Sequence, residues 1–447
     1  MVINSYKFKE KRIKSTLLFL VIFTGSVASY AQVLSLEQCI DTALLYNRNI
    51  RLAQYDVNIS SEKSSEIKGN LLPKINGIAD YRYFTDLPYQ LMPAAAFGGP
   101  AGTYKEVQFG VPQNLNANLQ VAVPLFNSTV MSGIKTTQIA NDMSEIQKTK
   151  TDEDVVLEVS NAYYNAQILL TQKSFLDSNI INIDKLVKTT TLLYQQQVVK
   201  ETDVDRLKLQ AEQLTTQLST VSSQYQQVLN ALKFLIGKPI SDSIEVLNYE
   251  KSIVKTNFKS QITTDGLLID KKIELLNSEL NGLRDLRLPT LNAYGVYGTT
   301  GFGTTGSNSF FNFHPVGYVG AQLSLPLFNG SITKHKVAAK KIEIEKSIIQ
   351  KELVDEKSKL DLKNAEMKFT LAVSNISVVS SQVKLSKKIY HNTVLQNQQG
   401  VASITDLLLA DNALRETQQS YLTALINLHK AELEYKKVTG NLITIKY

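Results

Sequence analysis

The sequence predicts a mainly α-helical chain with a transmembrane β part, built from one unit written twice. Two alternating runs, at 118–123 and 319–325, lead into the same tetrapeptide, Pro-Leu-Phe-Asn, at 124–127 and 326–329. Each tetrapeptide opens onto a polar stretch of about 70 residues, nearly free of glycine and proline, enough for one helix of about 105 Å. A leader-like N-terminus adds that the chain leaves the cytoplasm.

Residues 1–31 read as a signal peptide. Lys7, Lys9, Lys11, Arg12 and Lys14 precede the apolar run 16–23, and Ser29 and Ala31 form a small-x-small site that places cleavage after Ala31. The apolar run is too short to cross about 30 Å of hydrocarbon. Most of the net charge of +7 belongs to this segment, with five basic residues against Glu10. The remainder offers no footing for nucleic acid. Cys39 is the single cysteine, so no intrachain disulfide forms, and its helical setting, LSLEQCID, makes it a core residue. No later stretch has the roughly 18 consecutive apolar residues of a membrane helix, which leaves a periplasmic protein, an exported one or an outer-membrane barrel.

The first repeat is assigned to 32–239: a helix over roughly 35–70, a β-hairpin at 72–126, a long helix at 128–198, a tip, and a shorter helix at 204–236. A connector at 240–264 leads to the second repeat, 265–442, with a helix, a hairpin at 288–328, a long helix at roughly 330–398, a tip and a closing helix. A short tail, 443–447, follows. The copies correspond at LLPKIN and RLPTLN, at VPLFNS and LPLFNG, and at Thr202-Asp203 and Thr405-Asp406. The first hairpin is longer because of the Pro/Gly-rich segment 85–114, read as loop. The glycine-rich segment 298–309 is likewise read as an exposed loop.

The helices carry heptad seams, with apolar residues at alternating spacings of four and three. Leu207, Ala211, Leu214, Leu218 and Val221 show it in the first repeat; Leu407, Ala410, Leu414, Thr417 and Tyr421 show it in the second. Half-length helices stacked end to end beside each long helix give a tall, slender body. In the strands Leu119, Val121 and Val123 oppose Asn118, Gln120 and Ala122, an apolar face and a polar one. Four strands per chain cannot close a barrel. Three chains supply 12 strands, an allowed even number, whereas the interior of an eight-stranded barrel is filled by side chains. Pro124 and Pro326 cannot donate to a ladder and are expected to end strand pairing, with Asn127 (or Ser128) and Asn329 capping the long helices.

Leader, duplicated unit, the Leu-Pro and Pro-Leu-Phe-Asn landmarks and the Gly400–Asp406 turn together resemble the TolC family of outer-membrane efflux ducts, over about 35–442. The resemblance implies a homotrimer whose 12-stranded barrel, set in outer-membrane lipid, continues into an α-helical periplasmic tunnel. It implies a periplasmic adaptor and an inner-membrane pump of RND or ABC type, in tripartite efflux or type I secretion of small molecules or proteins. On that basis Val198, Val199, Gly400, Val401, Ala402 and Ser403 form adaptor-docking tips. Asp406, Asp203 and Thr202 border the pore entrance. Pro124, Phe126, Asn127, Pro326, Phe328 and Asn329 are the barrel-to-tunnel hinges. Gln197 stands where the second tip has Gly400, and Leu409 stands where relatives have a second pore aspartate. The partners of the family's tip lock fall here on Asn397 and Ala402. Asp406 has a simpler reading as a helix cap.

No catalytic constellation is present. His314, His335, His391 and His429 are scattered without metal-ligand spacing, and the glycine-rich segment lacks the Gly-Lys-Ser/Thr of a phosphate loop. Asp152, Glu153 and Asp154 read as a solvated helix face. The chain is therefore read as a passive conduit without cofactor. The competing class is a secreted or surface coiled-coil structural protein or adhesin.

Overall fold

The computed structural model describes residues 32–248, 262–304 and 312–443. The expected signal peptide, most of the connector (249–261), Phe310 and Phe311, and the tail from 444 lie outside the described residues.

Strand β1 (Gln32–Leu34) is followed by Ser35, which starts helix α1 (Leu36–Tyr46) with a reciprocal capping box. Gln38 N–H donates to Ser35 Oγ (3.2 Å), and Ser35 N–H donates to Gln38 Oε1 (2.9 Å). The single helix expected over 35–70 is broken at Asn47. Its extended backbone (φ −62°, ψ 134°) ends α1, and its Oδ1 accepts the N–H groups of Asn49 and Ile50 to start α2 (Arg48–Gly69). The first strands are β2 (Lys74–Tyr83), β3 (Tyr89–Pro93), β4 (Tyr104–Gln108) and β5 (Gln113–Asn127). Long helix α3 (Ser128–Gln195) and α4 (Glu201–Leu235) complete the first repeat. Strand β6 (Ile244–Val246), α5 (Thr264–Asp285), β7 (Thr290–Gly303), β8 (Phe313–Ser324), long helix α6 (Ile332–Gln398) and α7 (Ile404–Val438) follow.

Helices α3 and α6, of 68 and 67 residues, each run about 100 Å. Helices α2 and α4 pack against α3 one above the other, and α5 and α7 pack against both long helices. The break at Asn47 is the joint of the first stack: Asn47 Nδ2 donates to Leu235 O at 2.7 Å, capping the end of α4. Gly237, at φ +75°, lies so close beneath that a Cβ would sit 2.6 Å from Tyr46 O. Around this joint Leu34, Cys39, Ala43, Val159, Tyr163, Leu232 and Ile244 form the largest core, with β1 and β6 paired in parallel over it. Burial pushes the Cys39 thiol up to about 11.

The seams are the rest of the core. Leu207, Leu214, Val221, Leu176 and Ile183 pack between α3 and α4; Leu407, Ala410, Leu414 and Tyr390 pack between α6 and α7. Leu207 and Leu407 are fully buried, each contributing about 2 kcal/mol of transfer free energy. The acidic run at 152–154 is not simply solvated. Asp152 pairs with Lys148 at 2.8 Å, and Glu153 is half-buried and accepts from Thr264 Oγ1 at 2.6 Å, because α5 packs over this part of α3.

Candidate channel wall and periplasmic tips

Strands β2, β5, β7 and β8 form one antiparallel sheet in that order, so β2 and β8 are its edges. Ile75 faces Val121, Gly77 faces Leu119 and Tyr81 faces Leu115. The same rows continue through Gly295 and Tyr297 of β7 to Val319 and Gly317 of β8. These residues share one side because strand side chains alternate with period two. The opposite side carries Asn76, Asp80, Asn114, Asn116, Asn118, Gln120, Asn292 and Gln322. Thr300 and Asn116 are hydrogen-bonded there at 2.9 Å. On the apolar side Val319 is 89% exposed, and Tyr81, Leu119, Tyr297 and Leu323 are also exposed. An apolar face that covers nothing among the described residues is suited to lipid. The sheet is open in the single chain. Its two edge strands run in opposite directions, so β8 of one copy can pair antiparallel with β2 of another.

The two Pro-Leu-Phe-Asn copies behave differently. Pro326 lies beyond the last residue of β8, as expected for a residue that cannot donate. Pro124 does not end its strand. Pairing with β2 stops at Ala122, but pairing with β7 continues through Pro124–Asn292 and, past a bulge, to Phe126–Leu291 and Asn127–Thr290. The bulge accommodates the missing N–H. Asn127 caps α3 as expected, its Oδ1 accepting from Val130 N–H at 3.1 Å. Asn329 is not the cap of α6. Gly330 and Ser331 both adopt left-handed φ (62° and 65°), delaying the helix to Ile332 with Ser331 as N-cap. Asn329 instead donates from Nδ2 to Thr333 Oγ1 at 2.6 Å. Leu327 and Phe328 are 88% and 86% exposed.

Segment 85–114 is more than a loop. Strands β3 and β4 pair in it from Tyr89–Gln108 to Pro93–Tyr104. The glycine-rich segment after 298 is also partly strand, since β7 runs to Gly303.

At the first tip Gln197 has φ 61°, the same left-handed turn that Gly400 makes with φ 75° at the second. Glutamine pays a steric cost in that region that glycine does not. Gln197→Gly is expected to stabilise the tip by about 0.5–1 kcal/mol and Gly400→Ala to destabilise it by about 1 kcal/mol. Slower and faster amide exchange at residues 195–203 and 397–406, respectively, would show this. Val198 and Val401 are 65% and 75% exposed. Asn397 Nδ2 donates to Ala402 O at 2.9 Å, so the two positions of the family's lock partners bind each other within one turn. Thr202 and Asp203 sit in the first turn of α4, and among the described residues no hydrogen bond joins them to the second tip. The tips meet instead through Ile404 and Leu408, which pack with Leu207 and Leu214.

Asp406 is the third residue of a capping box. Its Oδ2 accepts from Ser403 N–H (2.9 Å) and Ser403 Oγ (2.7 Å), while its own N–H donates to Ser403 Oγ (3.1 Å). These bonds hold its carboxyl below the usual carboxylate range. Above the tip lies a polar cluster that the seam pattern did not reveal. Asp411 is buried and pairs with Arg415 Nε at 3.1 Å. With the Gln210 amide turned to satisfy both groups, its oxygen accepts from Arg415 Nη2 at 2.6 Å, joining α4 to α7. Asn179 donates to Gln418 at 2.9 Å, and farther up, beside the core at the Asn47 joint, the rings of Tyr164 and His429 stack at 3.8 Å, both contacts joining α3 to α7. The i,i+4 spacing of Asp411 and Arg415 is a readable pairing signal, although spacing alone points to a surface pair.

Among the described residues no group of His, Cys, Asp and Glu could hold a metal ion, and no helix is long and apolar enough to cross a membrane. Residues 39–238 match the protein family described as outer membrane efflux protein. The chain is 20% identical over 428 residues to outer membrane protein TolC of Salmonella enteritidis, across 93% of this chain and 84% of that protein. Its fold is similar to that of VceC, an outer membrane protein of Vibrio cholerae, with a TM-score of 0.72 and 14% identity over 91% of this chain and 96% of that one. It is equally similar to the CmeC outer membrane channel of Campylobacter jejuni, with a TM-score of 0.72 and 16% identity over 92% and 87%. The sheet and helices share the fold of these two outer-membrane proteins, and the family match over 39–238 agrees with it. The chain is a relative of the TolC outer-membrane efflux proteins and resides in the outer membrane.

Proposed function

We propose that three copies of this chain close a 12-stranded barrel continuous with a helical tunnel, and that the assembly is a passive exit duct. The observation that carries this reading is an amphipathic four-stranded sheet with two free edges, joined directly to helices of 67–68 residues. Free edges are a liability unless paired, and pairing β8 with a neighbour's β2 removes every edge. Along α6, Ile342, Ile349, Leu353, Leu360, Met367 and Leu371 stand exposed at spacings of seven and four. That is a second heptad seam with no partner among the described residues, and it fits the helices of a neighbouring copy. Energy for export comes from elsewhere: an adaptor engaging the tips at Val198, Val199 and Gly400–Ser403, and an inner-membrane RND or ABC pump delivering small molecules or proteins.

Purified protein in planar bilayers is expected to show discrete single-channel conductance. Trimers that never conduct, even with tip residues replaced, would support the structural-fibre class instead. Three Asp406 carboxylates around a threefold axis would focus a negative potential. Asp406→Ala is therefore expected to lower cation preference, read as a shift in reversal potential across a salt gradient. Because the Asp406 pKa is depressed, the preference should persist into more acidic solution than an ordinary carboxylate allows, then fade as pH drops through that lowered value. Selectivity unchanged by the substitution would leave Asp406 with its capping role alone.

A further inference from the structure

Among the described residues the β3–β4 hairpin has no counterpart in the second repeat. It grows directly from the sheet: Phe84 N–H donates to Pro112 O (2.7 Å) just beyond the last β2–β5 pair, Tyr83–Gln113. Pro88 and Pro112 interrupt the ladder, Gly110 takes φ 116°, and pairing resumes at Tyr89–Gln108. The turn is closed by Ala94 N–H to Thr103 O (2.8 Å) and Thr103 Oγ1 to Pro100 O (2.8 Å). Tyr89, Leu91 and Tyr104 share one face of this hairpin and are 68%, 68% and 70% exposed. An isolated two-stranded hairpin is marginal in water, and two tyrosines and a leucine left exposed beside Glu106 and Gln108 make a mixed surface suited to a partner.

Its place in the sheet says which partner. The hairpin continues β2, one free edge, at the end of the sheet away from the helices. The other free edge, β8, begins at that same outer end with Phe313, 44% exposed. In a ring of copies β8 of one subunit lies beside β2 of the next, so each hairpin stands at a subunit boundary, one hairpin for each boundary. We propose that the β3–β4 hairpin straps across that boundary, seating Tyr89, Leu91 and Tyr104 on the outer end of β8 in a second copy of this chain. This rests on the trimeric reading above. It adds a contact that fastens the barrel where strand pairing has run out.

The test is thiol cross-linking of the full chain in outer membranes. The background is quiet, because Cys39 is buried and its raised pKa keeps it a thiol. Tyr104→Cys combined with Phe313→Cys, treated with a short bismaleimide, is expected to give covalent dimers and trimers that neither single variant gives. Asn76→Cys with Tyr318→Cys, on the polar face of the two edges, serves as the reference pair. A second variant with residues 86–110 replaced by a short Gly-Ser turn should still conduct but should dissociate in SDS at a lower temperature. If the reference pair cross-links and the pore conducts, yet the hairpin pair does not link and the shortened variant keeps its heat resistance, the strap is wrong and the duct reading stands. If neither pair links and no trimer forms, the duct reading fails and takes the strap with it.

Discussion

Substituting lysine for Val319 is expected to keep the chain out of heat-resistant trimers while leaving its helices folded. Val319 is 89% exposed near the middle of β8, on the face it shares with Leu323, Leu119 and Ile75. If that face meets lipid, a lysine at the bilayer midplane costs about 2–4 kcal/mol, falling toward zero at the interfaces. Threefold symmetry repeats the cost, so one substitution removes about 6–12 kcal/mol from a trimer. The control is Gln322→Lys, which adds the same charge to the same strand on the opposite face, where water would fill the bore. Unheated gel electrophoresis of outer-membrane fractions reads the trimer, and circular dichroism reads the helices. A harmless Val319→Lys with a destructive Gln322→Lys would reverse the assignment of the two faces.

The long helices were legible because 128–198 has no proline and a single glycine, and the seams because their apolar spacing alternates without interruption around Leu207–Val221 and Leu407–Tyr421. What escaped the sequence depends on contacts far away in the chain. Asn47 carries a local signal, since asparagine is a strong N-cap and its Oδ1 starts α2, but an asparagine inside a polar helical stretch does not by itself announce a break. The break is fastened by the other end of the same amide, which caps the end of α4, 188 residues away. Hairpin 89–108 looked like loop because Pro88, Pro112 and its glycines dominate the composition, although these residues punctuate a ladder rather than abolish it. The repeated Pro-Leu-Phe-Asn concealed a divergence of one residue. Ser128 follows Asn127 straight into α3, whereas Gly330 separates Asn329 from Ser331 and moves the start of α6. At the tips glycine at 400 announced its turn, while Gln197 adopts the same φ because the helices on either side impose it.

The second large effect is expected at the polar cluster above the tips. Arg415→Ala should destabilise the folded protein by about 3 kcal/mol, at the low end for a broken buried pair because the Arg415 side chain is 24% exposed. Its removal strands Asp411, whose side chain is only 7% exposed, and unties Gln210 on α4. The pair itself is a poor source of net stability, so Asp411→Leu combined with Arg415→Met should lie close to the unsubstituted protein in melting temperature. Burial pushes the Asp411 carboxyl above the usual range and Arg415 pulls it back, with burial prevailing. The folded state therefore holds that proton more tightly than the unfolded chain does. The stability linked to it is complete in acid and is lost as pH rises through the raised value, opposite in sign to an ordinary paired carboxylate. Asp411→Asn, which imitates the protonated form, should cost less than Arg415→Ala. Its deficit against the unsubstituted protein should shrink as pH rises through that window. A deficit that grows with pH would mean that the ion pair with Arg415, rather than burial, governs the titration of Asp411.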